Sequence, residues 1–167
     1  MLHIYINDLA PQEAKAALMR CCGSQRWAQR MVLARPFASE AGVYKCAQEL
    51  WGALSKEDFL EAFSHHPQIG ASREALEKKF PATQDWSAQE QSGMQEAQAD
   101  IIERLVVGNR QYLEKFGYIF IVCASGKSAE EMCLLLEERL PNSPDIELNI
   151  AAAEQAKITA LRLEKLI

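Results

Sequence analysis

Apolar positions recur at helical spacing along almost the whole chain. Asn7 or Asp8 opens a first segment with Pro11 near its first turn. Ala14, Ala17, Leu18 and Cys21 follow on one face, and Gly23 stops it. Ser24 caps a short helix with Trp27 and Met31 one turn apart, ending before Pro36. Ser39 starts the next, with Val43, Ala47, Leu50, Trp51 and Leu54 on one face. Ser55 and Asp58 form a capping-box start for Phe59, Leu60 and Phe63. That helix must stop near His65, because Pro67 disfavours helical geometry in the residue before it.

Beyond Pro67 a short helix is predicted from Ala71 to Phe80, then a loop around Pro81 to Trp86. Ser87-x-x-Glu90 opens a long helix toward Phe116, with Gly117 as its stop. Ser128 and Glu131 head a helix containing Met132, Leu135, Leu136 and Leu140. A last long helix runs from Asp145 to Ile167, with Leu148, Ala152, Ile158 and Leu161 turned inward. Only Tyr118 to Ala124 is strand-like by composition. One orphan strand cannot satisfy its own backbone groups, so a buried helix or turn is expected there. Without a Gly/Ser linker or an internal repeat, the pattern predicts an all-α fold: residues 1–167 as one compact domain of about eight helices.

Length and charge narrow the function. At 167 residues, folding buries roughly 70% of the unfolded chain's surface, so the core needs no disulfide staple. A net charge of −5 argues against a protein that neutralises nucleic-acid phosphates or binds membranes through a polybasic face. No apolar run approaches a membrane span, and no basic stretch precedes an apolar one at the N-terminus. The five cysteines include no CxxC pair and sit among apolar neighbours, which suits free thiols in a reducing cytoplasm.

Several short motifs carry more than one reading. SGKS at 125–128 looks like the end of a phosphate-binding loop, but the required glycine position is Ile121, and Ser128 is explained as a helix cap. A metal site built on His3, His65 and His66 fails for want of converging ligands. His66 in HPQIG is either a helix-terminal histidine favoured by the dipole or a rigidly held general acid–base group. Glu90 is either the return half of a capping box or, with Gln91, a polar end at a helix N-terminus suited to an anion. Arg162, in ITALRLEKLI, either snorkels to water or offers a planar fork of donors to a carboxylate.

Taken together, CCGSQRW (21–27), RPF (35–37), AFSHHPQIG (62–70), DWSAQEQ (85–91) and NRQYLEKFGYIFIVCASGKSAEEM (109–132) form an ordered set. RL (139–140), EL (147–148) and KITALRLEKL (157–166) complete it. The set resembles the OHCU decarboxylase family, whose members act on 2-oxo-4-hydroxy-4-carboxy-5-ureidoimidazoline in the last step of urate breakdown to (S)-allantoin. The resemblance runs from about the first helix to the last residue.

That resemblance implies a catalytic His66 followed by Pro67, with Glu90 as the second catalytic group. It implies that Ser87 and Gln91 contact substrate, that Ile121, Val122, Cys123 and Ala124 offer backbone contacts, and that Arg162 holds the ligand. His65 has no role in this mapping. Gln68 and Ala71 depart from common versions at the site's rim. The resemblance further implies an all-helical homodimer with no cofactor and no metal, acting on a small anionic ureidoimidazoline. Neither nucleic acid nor membrane is an expected partner. Lys165-Leu166-Ile167 is not a peroxisomal tripeptide, so a cytoplasmic setting is expected. The competing reading is a non-catalytic helical interaction module, whose apolar stripes are only core and partner groove.

Overall fold

In a computed structural model, nine helices and no strand are found among the described residues. The structure describes residues 1–67, 72–81 and 88–167, and for 88–95 the backbone alone. The all-α expectation therefore holds. The chain divides into two compact units. One comprises Met1–His66, Ile121–Cys123 and Leu148–Ile167; the other comprises Pro67–Phe120 and Ala124–Glu147.

The first unit begins with α1 (Leu2–Asp8) and α2 (Pro11–Cys21). Sequence reasoning took Asn7 or Asp8 as the opening of α2, and the structure corrects this. Asn7 lies inside α1, and its amide pairs with the backbone of Phe37 in both directions, each bond 2.9 Å long. Pro11 sits at the first helical position, where its missing N–H would have no partner within the helix anyway; Ala10 has no polar side chain to cap α2, and Glu13 accepts from the Ala10 amide at 3.2 Å.

Next come α3 (Gln25–Leu33), α4 (Glu40–Gly52) and α5 (Lys56–Ser64). Their serine caps stand as expected. Ser24 accepts from the Trp27 amide at 3.2 Å and Ser39 from the Gly42 amide at 3.1 Å, while Asp58 takes the Ser55 amide at 3.1 Å. The core of this unit is built around Trp27, Phe63, Leu18, Ile6 and Met31, all buried. The two indoles bury their N–H groups at no hydrogen-bonding loss: Trp27 donates to the Ala47 carbonyl at 3.0 Å, Trp51 to that of Ala152 at 2.9 Å.

The second unit holds α6 (Arg73–Lys79), α7 (Ala88–Phe116) and α8 (Ala129–Arg139). Gly117, at φ +79°, ends α7 in the left-handed region that a side chain would resist. Ser128 accepts from the Glu131 amide at 3.2 Å and Glu131 returns to the Ser128 amide at 2.7 Å, so SGKS serves here as a capping box. Within this unit Arg139 and Glu147 form a buried ion pair at 2.5 Å. Tyr112 and Asn142 donate to the same carboxylate, and Phe120 lies 4.6 Å from the guanidinium.

The ninth helix, α9 (Pro144–Glu164), belongs to the first unit from Leu148 onward. Its buried face differs from the predicted one. Ala152 is buried as predicted, but Leu148, Ile158 and Leu161 are only half-buried, and Ala151, Gln155, Thr159 and Leu163 are buried instead. A second correction concerns residues 119–124, which are neither helix nor strand, with a turn at 125–126. The segment avoids an orphaned amide by another route: Glu154 on α9 accepts from the Cys123 N–H at 2.7 Å.

Candidate active site

His66 owes its place to the way α5 ends. The turn at His65 and His66 is held by backbone bonds from their amides to the carbonyls of Ala62 and Phe63, each 3.2 Å, before Pro67 redirects the chain. The turn between α2 and α3 presses against this end. A Cβ on Gly23 would stand 2.5 Å from His65 Cγ, so the His65 side chain packs this closely on the Gly23 backbone only because residue 23 is glycine. His65, which had no role in the sequence reading, is thus the packing partner that seats its neighbour.

From the other side α9 supplies a line of polar groups. His66 Nε2 is 2.5 Å from Gln155 Oε1, and Gln155 Nε2 donates to Thr159 Oγ1 at 3.2 Å. Thr159 also acts on the Cys22 thiol, lowering its pKa against the larger effect of burial. Farther along the same helix, Arg162 donates to the Cys21 carbonyl at 3.4 Å. Gln155, Thr159 and Arg162 stand at i, i+4 and i+7, on one face of α9. A carbonyl oxygen only accepts, so Nε2 of His66 carries the proton and Nδ1 is the acceptor of the neutral ring.

The electrostatics favour that neutral form. Burial lowers the His66 pKa below its ordinary value; the bond to Gln155 pulls it back up, and the charges of Arg162 and His65 push it down. Burial likewise pushes the thiols of Cys21 and Cys22 up to about 11, so both are protonated near neutral pH and serve as packing groups. Arg162 is half-buried and forms no ion pair among the described residues. A neutral imidazole beside a guanidinium with free donors is suited to taking or giving a proton next to a bound anion.

Of the residues singled out from sequence, the first unit holds His66, Arg162, Ile121, Val122 and Cys123. Glu154 and Gln155, adjacent on α9, bind the Cys123 amide and the His66 ring respectively. Pro67 and Ala124 fall in the second unit, where the Ala124 carbonyl accepts from the Lys127 amide at 3.1 Å. Glu90 and Gln91 are in the first turn of α7, and their side chains lie outside the described residues, as do Ser87, Gln68 and Ala71 altogether. Sequence reasoning missed Gln155, Thr159 and Glu154, and read Gly23 only as a helix stop. The available signal was polar Gln155 and Thr159 in register with Arg162.

An open cavity of about 420 Å³ also lies between α4 and α9, lined by Tyr44, Gln48, Trp51, Thr159 and Leu163 among others. It shares Thr159 with the polar line but none of the residues predicted from sequence. No group of three His, Cys, Asp or Glu side chains placed to hold a metal ion occurs among the described residues. No described helix is long and apolar enough to cross a membrane.

Comparison with known proteins places these features in context. The family model for OHCU decarboxylase matches residues 7–164. The chain is 42% identical over 149 residues to the uric acid degradation bifunctional protein TTL of Arabidopsis thaliana, covering 87% of this chain and 45% of that protein. It is 32% identical over 132 residues to the 2-oxo-4-hydroxy-4-carboxy-5-ureidoimidazoline decarboxylase of Amia calva, covering 79% of this chain and 63% of that one. The chain thus spans less than two thirds of the length of both. Its fold superposes on a crystal structure of OHCU decarboxylase in the presence of (S)-allantoin with a TM-score of 0.69 at 39% identity. That match covers 89% of this chain and 94% of the other.

Proposed function

The chain belongs to the OHCU decarboxylase family, and on that footing we propose that it is a carboxy-lyase converting 2-oxo-4-hydroxy-4-carboxy-5-ureidoimidazoline to (S)-allantoin and CO2 in urate degradation. The observation that carries the site is the His66 ring held by Gln155 within range of the Arg162 charge. Arg162 orients the substrate anion by offering its planar donors to the carboxylate. His66 and Glu90 act as the acid–base pair on the hydroxyl and ring, while Ser87, Gln91, Pro67 and the backbone of 121–124 complete the grip on the ligand.

Substrate chemistry supplies the electron sink. The carbon bearing the carboxylate is next to a ring C=N, so the electron pair released with CO2 passes into a new C=C bond and onto ring nitrogen. The neutral imidazole takes the hydroxyl proton as that carbon becomes a carbonyl. One proton goes to the ring nitrogen and one to the adjacent carbon, the second on a single face, which makes one enantiomer. Of these two, the hydroxyl supplies one and solvent the other. No pyridoxal, thiamine or metal is called for by this route.

The test is to add the protein to freshly generated substrate and follow the chirality of the allantoin formed. Faster decay with (S) excess is the expected result. Decay at the spontaneous rate to racemic product would mean that the helices serve only for interaction. His66→Ala is expected to lower the rate by about 10²–10⁴-fold, and wild-type turnover in that variant would remove His66 from the reaction. Homodimer assembly and a cytoplasmic setting belong to the same proposal; the free thiols support the latter, and equilibrium sedimentation reads the former.

A further inference from the structure

Gln155 is completely buried on α9 beside Ala151, Ala152 and Leu163. An amide in such a place is costly unless both of its ends are bonded. Both are. Its carbonyl meets the His66 ring at 2.5 Å and its NH2 meets Thr159 at 3.2 Å. If Gln155 were turned end for end, its NH2 would face His66 and the ring would have to carry its proton on Nδ1 instead.

What opposes that flip is the order of donors along the line. The Gln155 NH2 donates to the Thr159 oxygen, which leaves the Gln155 carbonyl to receive the His66 N–H. Three groups from two separate stretches of chain thereby agree on one tautomer.

We propose that Gln155 is a positioning residue for His66: it holds the imidazole as the Nε2–H tautomer, with Nδ1 kept for the substrate, and Thr159 fixes the sense of the Gln155 amide. This rests on the reading of His66 as the acid–base group. The same arrangement sets the direction of each substitution. Among the described residues, the charged groups that act on the His66 ring are Arg162 on α9 and His65 beside it; Glu61 lies one turn earlier on α5, and the thiols of Cys21 and Cys22 lie at the end of α2. Arg162 and His65 disfavour the imidazolium, and the Gln155 carbonyl is the neighbour that favours it.

Three variants of the whole chain test this: Q155L, Q155E and T159V, each read by ring ¹⁵N NMR of His66 and by the pH profile of turnover. In the wild-type protein the neutral ring is expected to show the Nε2–H pattern. Q155L is expected to mix the tautomers and to move the acid limb of the profile to lower pH. It should lower kcat by about 10²-fold while KM changes little, the scale of loss when a reacting group is misplaced by about 1 Å. Q155E is expected to move the acid limb to higher pH, since a carboxylate there stabilises the imidazolium. T159V keeps the volume and should give a smaller tautomer shift in the direction of Q155L.

An Nδ1–H pattern in the wild-type protein would overturn the proposal even if Q155L failed to fold. So would a folded Q155L with unchanged kcat and an unchanged profile. If instead the tautomer shifts as expected while His66→Ala keeps full turnover, the acid–base reading falls and the tautomer assignment stands.

Discussion

The ring of His65 occupies the space that a side chain on residue 23 would enter, with His65 Cγ 2.5 Å from where a Cβ of Gly23 would stand. This contact joins the α2–α3 turn to the end of α5, one residue before His66. Gly23→Ala must therefore displace the ring, the turn or both. Overpacking of this kind costs roughly 1–3 kcal/mol, and the urea midpoint should fall accordingly. Because the displaced segment carries His66, turnover per folded molecule should fall as well. A G23A protein with reduced stability and full turnover would show that the seat of His65 is independent of its neighbour.

Proton linkage at His66 has a definite sign. Its folded pKa lies below the ordinary 6.5, chiefly through burial. As pH falls below that value the unfolded chain takes up the proton first, so stability present above about 6.5 is lost as pH falls through the folded pKa. The difference in unfolding free energy between wild type and His66→Gln should therefore shrink from pH 7.5 to pH 5. Turnover should be flat above neutrality and fall on the acid side, with a midpoint below 6.5, if the neutral ring is the working form. Parallel urea titrations and a pH–rate profile check both.

Glu90 can be separated into its two roles by one conservative change. Gln serves as well as Glu in the return half of a capping box, so Glu90→Gln should leave the melting temperature nearly unchanged. It cannot exchange a proton, and turnover should fall by about 10²-fold or more if Glu90 is the second acid–base group. Glu90→Ala, by contrast, should cost roughly 0.5–2 kcal/mol of stability where Glu90 serves as a cap, with turnover per folded molecule intact if that is its whole role. Full turnover in E90Q would leave Glu90 as a cap alone.

Most helix limits were legible because their signals are local. Ser24, Ser39, the Ser55–Asp58 and Ser128–Glu131 boxes, Pro67 and Gly117 each mark an end within four residues of where it falls. Helix α1 was not legible: seven residues with only Leu2 and Ile6 buried give too short a period to read. Nor was the state of 119–124, since its Cys123 amide is satisfied by Glu154, thirty-one residues away. His66 and Arg162 stood out through motif and resemblance. Gln155 and Thr159 did not, because a polar residue on a helix reads as solvent-facing until its partner is known, and the partner here is a ring 89 residues earlier.

The buried pair Arg139–Glu147 provides the sharpest stability test in the second unit. Glu147 is fully buried and Arg139 is 6% exposed; the carboxylate also takes bonds from Tyr112 and Asn142. Removing one charge leaves the other buried without its counter-ion, which costs about 3–5 kcal/mol, whereas replacing both with apolar groups of similar volume is often neutral. Glu147→Leu alone should therefore lower the urea midpoint steeply. The double variant R139M/E147L should recover the part of that loss due to the unpaired Arg139 charge, while the Tyr112 and Asn142 donors it leaves unpaired still cost about 1–3 kcal/mol each. Equal losses in the single and double variants would mean that the Tyr112 and Asn142 bonds, and not the ion pair, anchor the start of α9.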